Sequence, residues 1–277
     1  MKKYINAIAI FLAFILIIIT YASTNNINYV ETPDISKKQS ITCASYAQVK
    51  DKTAHIKEKY GITVLSLDEA NYSYYGKVVE KQLNIDRAYQ MLVTIEKAMD
   101  KYPPGFFRKF KTENGVNFAP TIYLMKASKD LDFVGLTDKQ YADNVKLIIT
   151  DSMEIEATFH HEMMHVIEHF MVFKRYPERP FEAWSAYNPE GFTYKGDTED
   201  AFSTKHFVDK YAMYSEIEDR AMTFEFLMMQ SLSHKNIIEA NENIKSKAQY
   251  ICMEIDKTFF KYPEENKEGL YWHQMLK

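Results

Sequence analysis

Glycine and proline are scarce, 8 of each in 277 residues, which argues against a low-complexity or turn-dominated architecture. Cysteine is scarcer still. Cys43 and Cys252 permit one disulfide at most, and nothing in the sequence brings the two positions together, so unpaired thiols are expected. The net charge is -4 and there is no basic stripe, so a nucleic-acid partner is not expected. Internal repeats are absent. The chain has only eight histidines, and four of them fall within ten residues, HHEMMHVIEH at 160–169.

What is present is a globular composition, 46% hydrophobic and 26% charged, with 20 Tyr and 18 Phe. The length suits one large domain or two small ones. The N-terminus stands apart. Lys2 and Lys3 precede the apolar run AIAIFLAFILIII, which ends at Ile19. A positive stretch before such a run is an export signal, with Thr20, Tyr21 and Ala22 offering a cleavage site. The run from Ile5 to Ala22 is also nearly long enough to stay as a membrane anchor. No cysteine follows it directly, which disfavours a lipoprotein. Either way the rest of the chain is expected outside the membrane, secreted or at the cell surface. The expected division is a signal peptide or anchor over 1–30, a polar tether over 31–54 and a folded domain over 55–277.

Within that domain, GITVLSLD (61–68), APTIYLMKA (119–127) and VKLIIT (145–150) read as strands. Ala88, Leu92, Ile95, Met99 and Tyr102 have helical spacing, and Pro103-Pro104-Gly105 stops that helix. Asp151 and Glu154 predict a capping box at the start of the next helix. There Ile155, Phe159, Met163, Val166 and Phe170 form an apolar stripe, with His161, His165 and Glu168 on roughly the opposite side. Residues 174–210 lack periodicity and carry Phe181, Trp184, Tyr187, Phe192 and Tyr194, a candidate wall for a cleft or ordinary packing under a long loop. A helix from Ser215 and a long one from about Asn236 to Phe259 complete the chain.

His161-Glu162-Met163-Met164-His165 is H-E-x-x-H. Residues four apart on a helix share a face, so both imidazoles can reach one zinc ion. The glutamate between them is placed to take a proton from water. His160 projects about 100° away around the helix and is not expected to share the metal. His169 reads as a half-exposed helix histidine. A third histidine of the H-E-x-x-H-x-x-G-x-x-H type is excluded, because Glu168 and Met171 stand where Gly and His would be needed. A catalytic zinc site wants three protein ligands and an open position. Glu216, Glu218, Asp219 and Glu225 are all candidates. Spacing does not choose among them, and Glu218 also fits a capping box with Ser215.

The combination of HEMMH, YNPEGFTY and FVDKYAMYSEIEDRAMTF resembles the glutamate-zincin metallopeptidases related to the catalytic domain of anthrax lethal factor, bacterial zinc-binding metallopeptidases above all. The resemblance covers roughly residues 55–260. It implies an α+β, zincin-like fold: a small mixed sheet, an active-site helix and a mostly helical C-terminal part. It also implies one zinc per chain held by His161, His165 and Glu218, with Glu162 as general base. Members carry a tyrosine seven residues before the ligand glutamate, which is Tyr211 here, with an oxyanion-binding role. The implied reaction is hydrolysis of a peptide bond in a protein or peptide substrate, held by strand addition along 119–127 or 145–150. Members often have an acidic residue four positions after the ligand glutamate, and here that position is Met222. Glu225, Glu168 or a backbone carbonyl is then left to orient a ligand histidine. Met222 keeps open a surface-anchored binding protein with little catalysis, and a non-protein amide substrate is a further alternative.

Overall fold

Ser45 starts the first of the described helices. Its hydroxyl accepts from the Gln48 N–H, and the Gln48 side chain accepts in return from the Ser45 N–H, so two otherwise unpaired donors are satisfied. Helix α1 (Tyr46–Tyr60) ends where Gly61 adopts φ 77°, a left-handed conformation that costs glycine little. The computed structural model describes residues 43–127 apart from 75–76 and 79–82, then 133–139, 143–194, 205–260 and 269–277. The N-terminal apolar run and the first half of the expected tether lie outside these residues. The expected tether boundary at 54 falls inside α1, whose Val49 and Ile56 are buried. Among the described residues no helix is long and apolar enough to cross a membrane.

The fold is α+β. After α1 come β1 (Thr63–Leu65), a small hairpin of β2 (Ser73–Tyr74) and β3 (Lys77–Val78), and α2 (Ile85–Met99). Strands β4 (Thr121–Met125), β5 (Gly135–Asp138) and β6 (Lys146–Thr150) follow. The four-stranded sheet runs β1-β4-β6-β5. Strands β1, β4 and β6 are parallel, and β5 is antiparallel to β6 with Leu136 opposite Ile148. Alternation decides the faces. Val64, Ile122, Leu124, Leu147 and Ile149 join the main core, while Met125 and Ile148 join a smaller cluster with Ala70 and Tyr72.

Strand β6 leads directly into α3 (Ile155–Lys174), the helix of the histidine-rich stretch. It lies against β5 and β6 and also touches α2, α4 (Glu216–Met229) and α6 (Glu242–Phe259). That surrounding explains why both its apolar stripe and its histidine side are buried. The expected capping box is absent. Asp151 spends its carboxylate on the Ala127 N–H at the end of β4, 2.6 Å away, and the helix starts at Ile155 without a side-chain cap. Arg87 holds the same turn from α2 by donating to the carbonyls of Asp151 and Ser152.

The expected helix from 236 to 259 is two helices, α5 (Leu232–Ala240) and α6. Asn241 is extended, φ -135° and ψ 102°, and its side chain donates to the Ile237 carbonyl. Such a residue competes with the helical ladder, closing one helix and starting the next. The phenylalanines fill the base of the core: Phe106 lies 4.7 Å from Phe259 and 5.7 Å from Trp272 between ring centroids, and Phe110 lies 5.2 Å from Phe170. Both cysteines are free, Cys43 exposed and Cys252 buried.

Candidate metal centre

Helix geometry brings His161 and His165 one turn apart, and α4 delivers Glu218 from the other side. One carboxylate oxygen of Glu218 is 2.9 Å from His161 Nε2 and 3.5 Å from His165 Nε2. Ligand atoms of these three residues all lie within 4.8 Å of one another. Ser215 caps α4, its hydroxyl accepting from the Glu218 N–H. The capping alternative and the ligand alternative are therefore compatible: Glu218's amide is used by the cap, and its side chain is free for the histidines.

The donor set fits a divalent cation. Burial works against a charged His161, yet its contacts with Glu218 and Glu225 override this and raise its pKa to about 10. Burial likewise works against a charged Glu218, yet its bonds to His161 and His165 hold its carboxyl well below the usual range. A proton sits tightly where two imidazoles and a carboxylate converge, and a cation that binds such groups displaces that proton. Two imidazoles and one carboxylate are a zinc donor set.

The remaining candidates sort themselves by their partners. Glu225 approaches the far nitrogen of the first histidine, with 3.4 Å between Glu225 Oε2 and His161 Nδ1. Glu168 is taken by Arg220 through two bonds, of 2.7 and 3.0 Å, and Glu216 also lies beside Arg220. His160 is fully buried with Nδ1 3.0 Å from the Tyr102 hydroxyl, away from the ligand cluster. His169 packs between Phe118 and Phe173. His165 Nδ1 is buried without a protein partner.

Glu162 is nearly buried and stands beside the cluster. Its Oε2 accepts from the Thr137 hydroxyl on β5 at 2.7 Å. Tyr211, in a short 3-10 turn before α4, has its ring 6.1 Å from that of His161. Burial, with Glu218 and Glu162 nearby, pushes its hydroxyl up to about 12, so it is a donor at neutral pH. His161, Glu162 and Tyr211 line a cavity of about 570 Å³ whose other walls include Phe133, Val134, Gly135 and Ala157.

The aromatic loop does not line this cavity among the described residues. Trp184 is fully buried and donates its indole N–H to Asp219, as does the Tyr194 hydroxyl. Tyr187 packs on Tyr250 and Phe192 on Phe207. Lys247 of α6 completes the group, 2.6 Å from Asp219 with both side chains buried. Asp219, one of the sequence candidates for the metal, thus ties the loop and α6 to α4 directly beside Glu218. The two strands expected to hold substrate are also corrected. β4 and β6 are interior, with a neighbour on each side, whereas β5 has one neighbour among the described residues. Sequence reasoning missed Thr137 and Gly135 because GLTD has neither apolar alternation nor β-branched enrichment to mark a strand.

No family model and no curated protein matches the chain. Among solved structures, a protein described as a putative zinc-binding metallo-peptidase from Bacteroides caccae ATCC 43185 is similar in fold, with a TM-score of 0.53 and 13% identity. The match covers 84% of this chain and 92% of that one. The chain therefore has a metallopeptidase-like fold.

Proposed function

We propose that this protein is a zinc-dependent metallopeptidase that hydrolyses peptide bonds, with His161, His165 and Glu218 as ligands. The observation that carries this reading is the convergence of those three side chains within 4.8 Å, with Glu162 alongside and not among them. Zinc bound there would act as a Lewis acid, polarising a carbonyl and acidifying water.

The protein's own groups do the rest. Glu162 takes a proton from the attacking water and passes it to the departing amine. The Tyr211 hydroxyl donates to the carbonyl oxygen as that oxygen gains charge. Glu225, 3.4 Å from His161 Nδ1, would hold the ring by charge with Nε2 towards the ligand cluster. An extended peptide pairs with the outer edge of β5, which has one sheet neighbour among the described residues. Glu225 stands where it can supply the carboxylate that Met222 does not, which supports catalysis over a purely binding role. The N-terminal apolar run supports export or surface anchoring of the enzyme.

The test is metal analysis of the reconstituted protein together with cleavage of a peptide library. One zinc per chain is expected. Glu218→Ala should lose it, and Glu216→Ala should not. Glu162→Gln should keep zinc and lose about 10²–10⁴-fold in turnover. A wild type that binds well under one zinc, or a Glu162→Gln variant with full turnover, would overturn the reading.

A further inference from the structure

Strand β5 does more than edge the sheet. Side chains alternate along a strand, so Gly135 and Thr137 share the face towards α3, while Leu136 turns to the cluster with Tyr72 and Ile148. On the α3 face the strand meets Glu162 twice. The Thr137 hydroxyl lies 2.7 Å from Glu162 Oε2 and 3.0 Å from the Glu162 main-chain oxygen. At Gly135 a Cβ would stand 2.7 Å from Glu162 Oε1 and 2.5 Å from the Thr158 methyl. Real side chains do not approach that closely, so only glycine lets the strand lie against the carboxylate. One oxygen of Glu162 is thus hydrogen-bonded to β5 and the other is walled by it.

We propose that Thr137 is a positioning residue for Glu162, through which the edge strand β5 sets the carboxylate that handles the proton. This rests on the metallopeptidase reading. A carboxylate on a two-carbon stem has several rotamers, and a charge-assisted hydrogen bond selects one. The hydroxyl has a single hydrogen and two acceptors within reach. It can donate to the nearer of the two, the carboxylate oxygen at 2.7 Å, or to the main-chain oxygen at 3.0 Å. A valine of the same shape can do neither. Because β5 has one sheet neighbour among the described residues, a peptide paired along its other side would steady the strand and, through Thr137, the base.

The experiment compares Thr137→Val and Thr137→Ser in the full-length, zinc-loaded chain, with Glu162→Gln alongside. Two readouts are taken: peptide turnover, and affinity for acetohydroxamate, which binds zinc and gives its proton to the neighbouring base without any turnover. Thr137→Val should keep its zinc, lose roughly ten- to hundredfold in kcat and bind acetohydroxamate more weakly. KM should move by less than about threefold, since the lost contact matters most once the base is working. Thr137→Ser should recover most of both. A valine variant matching wild type in both readouts overturns the proposal. So does a serine variant as poor as valine, which would mean that the methyl group and its packing are what matter. The reading beneath it fails differently: Glu162→Gln would then leave both readouts at the wild-type level.

Discussion

Glu225 Oε2 stands 3.4 Å from His161 Nδ1, seven residues and two helical turns beyond Glu218, so one face of α4 presents two carboxylates to the same histidine, one at each ring nitrogen. Residues 218, 222 and 225 rise along that face. Met222 occupies the intermediate step and lines the cavity wall.

Removing that carboxylate should weaken the metal without removing a ligand. Glu225→Ala is expected to lower zinc affinity about 10–100-fold, the usual cost of losing an orienting partner. Glu168→Ala, whose carboxylate serves Arg220, should leave zinc affinity unchanged. Competitive titration against a chelating dye measures both. Equal losses would mean that the effect comes from α3–α4 packing in general.

Zinc uptake by the metal-free protein should release a proton. His161 holds one with a pKa raised from 6.5 to about 10, so at neutral pH the metal must displace it. Apparent zinc affinity should therefore climb about tenfold per pH unit through the neutral range. The same shift makes the metal-free fold pH-sensitive. A pKa raised on folding stabilises fully below 6.5 and loses that contribution as pH rises through about 10. Calorimetry in buffers of different ionisation enthalpy counts the proton, and melting curves from pH 6 to 10 test the stability trend. A zinc-loaded sample should not follow it.

Tyr211→Phe keeps the ring beside His161 and removes the hydroxyl. Because that hydroxyl would act on charge present only near the transition state, kcat should fall more than KM rises. The expected cost is about 2.7–4 kcal/mol in the barrier. Tyr214 is stacked on Tyr211 with ring centroids 5.8 Å apart and is absent from the cavity lining, so Tyr214→Phe should stay near wild type. Steady-state kinetics of the two variants separate these outcomes.

The Asp219–Lys247 pair should matter to folding more than to chemistry. Lys247→Met alone leaves a buried carboxylate without its cation, and a loss of about 3–5 kcal/mol in unfolding free energy is expected. Lys247→Met combined with Asp219→Asn should recover much of that loss, since the stranded charge is gone. Urea denaturation of the two variants gives the comparison.

The sequence made the candidate histidine pair legible because its chemistry is local: an i, i+4 histidine pair is written in five residues. Glu218 needed more. Four acidic residues crowd 216–225, and what separates them is their partners, Arg220 one turn along the same helix for Glu216 and Lys247 of α6 for Asp219. The strands with β-branched runs could be read, though each is shorter than its apolar stretch. Strand β5 could not, since a glycine packed against Glu162 and a threonine bonded to it serve the site and not the strand pattern. Asp151 shows the opposite error: its position before a helix suits a cap, but a nearby strand end offered its carboxylate a better donor.

Trp184 has a further use. The chain has two tryptophans, and both are fully buried. Trp272 sits among Phe106, Phe224 and Tyr102 and donates its indole N–H to Asp256, whereas the Trp184 indole bonds to Asp219, the residue next to Glu218. Indole emission responds to charge and to hydrogen bonding. The protein therefore carries an intrinsic optical probe one residue from Glu218, the ligand proposed for the metal.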